Sequence, residues 1–167
     1  MKHRQQRHVE AEAVQQTETG ATLAFTVLGP PVGKARARIV YREAMGIYKG
    51  YTPDKTRAVE GEIGYMAQGL WEGKPPLEGP VALMVKFYFP IPRSWSQKRQ
   101  ALALNGELLP IVKPDVDNCV KLVKDALSMI VWRNDAQVVL VTGAKFYSDR
   151  PRTEIVVKVL ERPGAQP

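Results

Sequence analysis

One amphipathic helix with carboxylates at both ends constrains this chain more than any other segment. The run Lys113-Pro114-Asp115-Val116-Asp117-Asn118 leads into it, Lys121 and Asp125 lie along it, and Asn134-Asp135-Ala136-Gln137 follows. The spacing predicts a helix from just after Asp117 to about Val131, with Cys119, Leu122, Val123, Ala126 and Ile130 toward the core. Lys124, Asp117, Ser128, Lys121 and Asp125 then share an arc about 100° wide opposite that apolar stripe. Carboxylates held about 4 Å apart repel by about 4 kcal/mol per pair at an effective dielectric near 20. A protein that gathers them usually does so to hold a divalent cation.

Asp115 and Asp117 are two residues apart, and in an extended backbone both side chains point the same way. Asp117 also suits the N-cap of the helix. Asp135 arrives just before a strand expected from Val138, and a return of that strand beside the Asp115 segment would bring the three carboxylates together. Hard oxygen donors without His or Cys favour Mg²⁺ or Mn²⁺ over zinc. Such an ion polarises a phosphate and activates water, and a pair of them clamps an in-line displacement. Lys121, one turn from Asp117, is suited to offset charge on the leaving oxygen.

Other chemistries are poorly supplied. The single cysteine, Cys119, excludes an internal disulfide and a cysteine-based zinc site. The two histidines, His3 and His8, lie in a polar N-terminal stretch, so a Ser-His or Cys-His mechanism lacks a base in the body. A P-loop reading of Gly29 to Ala35 fails: the glycine spacing is one short, and Ala35 stands where Ser or Thr should bind Mg²⁺. No signal-like or 18-residue apolar run occurs, which suggests a cytoplasmic protein.

The net charge of +7 and pI near 9.6 point to an anionic partner, nucleic acid first. Lys34, Arg36 and Arg38 alternate with small or apolar residues, and Arg93, Lys98 and Arg99 cluster in a long connection. Both segments are suited to hold DNA backbone phosphates. Around them, 167 residues predict one domain over 21–160, a flexible arm over 1–20 and a tail over 161–167. Strands are expected over Thr22–Leu28, Val81–Phe89, Val138–Tyr147 and Thr153–Leu160. A further helix is expected over Pro53–Trp71 with Thr52 as its N-cap, weakened by Gly61, Gly64 and Gly69. A short helix is expected to end near Gly106.

Each residue taken alone also admits a structural role. Asp115 or Asp117 can cap or turn, Asp135 can belong to a turn, and Asp125 with Lys121 and Lys124 can be a solvated face. The Lys34–Arg38 alternation can be a charge-protected edge strand, and Trp95 and Trp132 can be packing residues.

The ensemble resembles the RusA-type Holliday junction resolvases over roughly Thr22 to Leu160. The specific part is Pro114-Asp115-Val116-Asp117-Asn118, Lys121, Asp125-Ala126-Leu127 and Asp135-Ala136-Gln137. Gly29-Pro30-Pro31, Tyr51-Thr52-Pro53 and Pro92-Arg93-Ser94-Trp95 support it. The resemblance implies a small single-domain α/β (α+β) fold, with a mixed β-sheet packed against two main helices. It also implies a homodimer and Mg²⁺-dependent cleavage of four-way DNA junctions. In it Asp115, Asp117 and Asp135 match the metal-binding catalytic aspartates and Lys121 the catalytic lysine. This chain departs from the pattern at Asn134, where many relatives carry a second acid. Branched DNA and a second copy are thus the expected partners, with no membrane and no small-molecule cofactor. The alternative is a branched-DNA-binding protein without catalysis. A transferase holding a nucleotide diphosphate on the Asp pair is disfavoured by the missing glycine fingerprint.

Overall fold

A computed structural model describes residues 16–17, 20–35, 38–43, 46–51 and 53–160. The expected N-cap Thr52, the cation Arg36, both histidines, residues 1–15 of the arm and the 161–167 tail lie outside the described residues.

Among the described residues a five-stranded sheet forms the centre. It comprises β1 (Gln16–Thr17), β2 (Gly20–Leu28), β5 (Val81–Pro90), β6 (Val138–Ser148) and β7 (Arg152–Val159). Their order is β1-β2-β7-β5-β6. β5 pairs antiparallel with β7 and parallel with β6, so the sheet is mixed. A parallel pair requires a long crossover, and that crossover carries α2 (Gln97–Leu104) and α3 (Val116–Leu127). A separate hairpin joins β3 (Arg38–Arg42) to β4 (Ile47–Tyr51), and α1 (Asp54–Leu70) follows it. The hairpin was not foreseen. It exposes Tyr41 and Tyr48 with ring centroids 5.0 Å apart.

Period-two alternation along β5 buries Val81, Leu83, Val85, Phe87 and Phe89, as its sequence requires. Ile63, Met66 and Ala67 of α1 join Leu122, Val123 and Ala126 of α3 in the same core. Each large apolar side chain so buried contributes about 1.5–3 kcal/mol. Gly64 allows the two helices to meet: a Cβ there would stand 3.3 Å from the Ala126 carbonyl oxygen. At the sheet edge β6 leaves Val139, Leu140 and Val141 exposed.

α3 differs from its expected bounds at both ends. Its N-cap is Asp115, not Asp117, which lies in the first turn. It stops at Leu127 rather than near Val131. Ser128 turns extended, and Met129 takes a left-handed φ of 64° while its N–H donates to the Trp132 carbonyl at 2.7 Å. Ile130 still packs against the core, from a turn instead of the helix.

Candidate functional site

Three contacts fix the start of α3. Gly143 of β6 lets the helix lie directly on the strand, since a Cβ there would come within 2.8 Å of Val120 Cγ2 and 3.0 Å of Val116 Cγ2. Gly33 packs against Pro114 and Asn118 in the same way, and the Lys34 N–H donates to the Asn118 carbonyl at 2.8 Å. From β6, Lys145 Nζ donates to the carbonyls of Val112 and, at 3.0 Å, Pro114. That ammonium therefore straps down the segment that enters Asp115. Cys119 sits beneath. Burial pushes its thiol up to about 11, with Lys145 opposing and Asp117 and Asp115 adding to the shift.

At the other end of the helix, Asp135 opens a single 3-10 turn (Asp135–Gln137). Asn134 caps it, its side chain accepting from the Ala136 N–H at 2.8 Å. Gln137 Oε1 accepts from the N–H groups of Arg133 and Asn134, and its amide donates to the Leu77 carbonyl at 2.8 Å. Trp132, fully buried, donates its indole N–H to Asp135 Oδ1 at 3.1 Å. Asp135 is thus oriented by the core.

Two cavities flank the first turn of α3. One, of about 390 Å³, is lined by Asp117, Lys121, Asp125 and Asp135 over a floor that includes Val120 and Gly143. The other, of about 640 Å³, is lined by Lys34, Lys55, Lys113, Asp115 and Asn118. Asp117 and Asp135, eighteen residues apart, are therefore brought to one cavity, while Asp115 faces its neighbour. Helical geometry explains the split: Asp117 is inside the helix, so the shared direction expected of an extended pair does not apply.

Among the described residues, no three of His, Cys, Asp and Glu are grouped closely enough to hold one metal ion. Asp115, Asp117 and Asp135 therefore do not form one three-carboxylate group among the described residues. Mg²⁺, however, keeps several waters and commonly takes one or two carboxylates plus substrate phosphates. Asp117 and Asp135 on one open cavity fit that mode.

The expected cations are distributed unevenly. Lys121 is mostly exposed, with Nζ 3.6 Å from Asp125 Oδ1. Lys34 is committed elsewhere: its Nζ lies 2.8 Å from both Glu60 Oε2 and Asp125 Oδ2. Burial draws its pKa down, but the hydrogen bonds and fields of Asp125 and Glu60 outweigh that and leave it raised. Arg38 opens β3, its side chain outside the described atoms. Arg93 and Lys98 are exposed and make no ion pair among the described residues. Arg99 stacks on Trp95, 3.9 Å from the ring centroid, and Trp95 meets Tyr147 edge-on.

Residues 29–158 match the family described as Endodeoxyribonuclease RusA. This chain belongs to the RusA family. Membership marks it as an endodeoxyribonuclease. It is also 38% identical over 140 residues to "Uncharacterized protein YqaN" of Bacillus subtilis (strain 168), covering 81% of this chain and 95% of that protein. The RusA match takes in both cavities and every element that lines them. No helix among the described residues is long and apolar enough to cross a membrane.

Within the RusA domain, sequence reasoning missed Lys145, the Trp132 indole and the cap at Asn134. Lys145 gave no local signal, because its partners lie 33 and 31 residues away. Asn134 did carry one. An Asn three residues before Gln is a capping pattern, and it explains how this position keeps a fixed turn without a second acid.

Proposed function

We propose that this RusA protein is a Mg²⁺-dependent endonuclease that resolves four-way DNA junctions by phosphodiester hydrolysis. One observation carries the reading: Asp117, in the first turn of α3, and Asp135, in the 3-10 turn eight residues past its end, line one cavity in a chain of an endodeoxyribonuclease family. Those two carboxylates would hold the ion, which when bound supplies Lewis acidity toward a phosphate oxygen and a more acidic water. Lys121, at the same cavity, sets its ammonium against charge building on the phosphate. The Trp132 indole keeps Asp135 turned to the cavity, and Asp115 meets the strand from across the first turn of α3. A homodimer suits this substrate, since a junction has two-fold symmetry and paired nicks need two sites.

The absence of a three-carboxylate group among the described residues favours a second reading, a branched-DNA-binding protein without catalysis. One assay separates the two. Junction, flap and linear duplex are incubated side by side with Mg²⁺ and with chelator. The nuclease reading expects junction cleavage only with metal, abolished in Asp117→Asn and Asp135→Asn while binding persists. Binding without product under any divalent ion establishes the second reading instead.

A further inference from the structure

We propose that the cavity on the Asp115 side of α3 is a phosphate subsite, in which Lys55 and Lys113 hold a DNA backbone phosphodiester flanking the one that is cut. The inference rests on the nuclease reading and adds residues that neither basic run includes. Three separate segments build the cavity: the Pro31–Ala35 stretch docked on Asn118, the first turn of α1 with Lys55, and the Lys113–Asn118 start of α3. Three ammonium groups line it against one carboxylate, Asp115. Lys34 is already satisfied by Glu60 and Asp125. Lys55 and Lys113 are exposed and have no ion-pair partner among the described residues. With Lys34 neutralised elsewhere, Lys55 and Lys113 outnumber the single carboxylate Asp115, and a phosphodiester matches the positive charge left over.

The position of the cavity supports the same occupant. It lies across the first turn of α3 from the Asp117–Asp135 cavity, and a helix with its side chains is about 10–12 Å in diameter. Successive phosphates of one strand advance about 3.4 Å along a duplex. A strand crossing that turn therefore meets both cavities within about three or four nucleotides. Lysine, a compact point charge, suits contact with a phosphate whose base sequence is not read.

The test measures junction binding by fluorescence anisotropy over a series of KCl concentrations, in an Asp117→Asn background to prevent cleavage. Each neutralised phosphate contributes about 0.9 to the slope of log K against log salt. Lys55→Gln and Lys113→Gln should each reduce the slope, and the double variant, which releases the one phosphodiester they share, should reduce it by about 0.9. The control double variant Lys86→Gln/Lys158→Gln removes two exposed lysines from the sheet and should leave the slope unchanged. Thermal melting of all variants should match the parent. A double variant that keeps the parental slope, or a control pair that lowers it equally, overturns the subsite. Cleavage by the unmodified chain is assayed in parallel. Intact cleavage with an unchanged slope sinks the subsite alone, lost cleavage with the expected slope sinks only the nuclease reading, and a parent that fails to bind DNA sinks both.

Discussion

The indole N–H of Trp132 donates to Asp135 Oδ1 at 3.1 Å, tying a fully buried ring to a carboxylate at the cavity edge. Trp132→Phe removes the donor and keeps most of the packing. A hydrogen bond to a charged group contributes about 1.5–3 kcal/mol, so stability should fall by about that amount together with a small packing loss. Junction cleavage should fall at least tenfold at a temperature where the variant remains folded, because Asp135 loses its orientation. Full cleavage by a folded Trp132→Phe protein would show that the indole has no part in holding the site.

Lys145 makes a parallel prediction on the other side of α3. Lys145→Met leaves the Val112 and Pro114 carbonyls without their ammonium donor. Urea denaturation should show a loss of about 1–3 kcal/mol. Lys145→Arg, which keeps the charge, should recover part of it. Equal losses in both variants would assign the effect to packing on Phe89 rather than to the strap.

Asn134 allows charge and fold to be separated. Asn and Asp cap equally well, whereas Ala costs about 1 kcal/mol. Asn134→Asp should therefore keep the melting temperature and strengthen Mg²⁺ binding by adding a carboxylate beside Asp135. Asn134→Ala should lower the melting temperature without strengthening it. Calorimetric Mg²⁺ titration beside thermal melts checks both.

Glycines divide by what surrounds them. Gly61 and Gly69 of α1 have nothing within 4 Å of an added Cβ, and Ala at either should stabilise by about 0.5–1 kcal/mol. Gly143→Ala should destabilise by about 1–3 kcal/mol, since Val116 and Val120 are rotamerically stiff on a helix. Chemical denaturation of the three variants gives the signs directly.

Lys34 gives the protein an alkaline limit. Its folded pKa is raised, so the ion pairs contribute fully below the ordinary lysine value of about 10.4 and are lost as pH rises through the folded value. Lys34→Met should lower stability at neutral pH by about 1–3 kcal/mol. It should also flatten the decline above about pH 10. A parallel decline in both proteins would mean that other groups set the limit.

Much of this was legible in the sequence, for reasons that differ between residues. The alternation in β5 and the helical spacing of Val59 to Leu70 are local patterns, and burial follows them. The join between Asp117 and Asp135 was legible because one helix separates them and a strand was expected just after Asp135. The split between Asp115 and Asp117 was not: it turns on whether the helix begins at Val116 or two residues later. The commitment of Lys34 was hidden too, since its partners lie on α1 and α3, far along the chain. A cation's neighbours are a tertiary fact, and a run of alternating basic residues does not distinguish a free lysine from a paired one.

The Lys34 contacts have a kinetic corollary. One ammonium joins residues 34, 60 and 125, so seating Lys34 beside the Asp115 cavity closes loops of 26 and 91 residues. Contacts that distant slow a chain's folding. The pairing of β2 with β7 closes longer loops still, from Leu28↔Arg152 to Thr22↔Lys158, so the sheet and the grip on DNA should both return slowly on refolding.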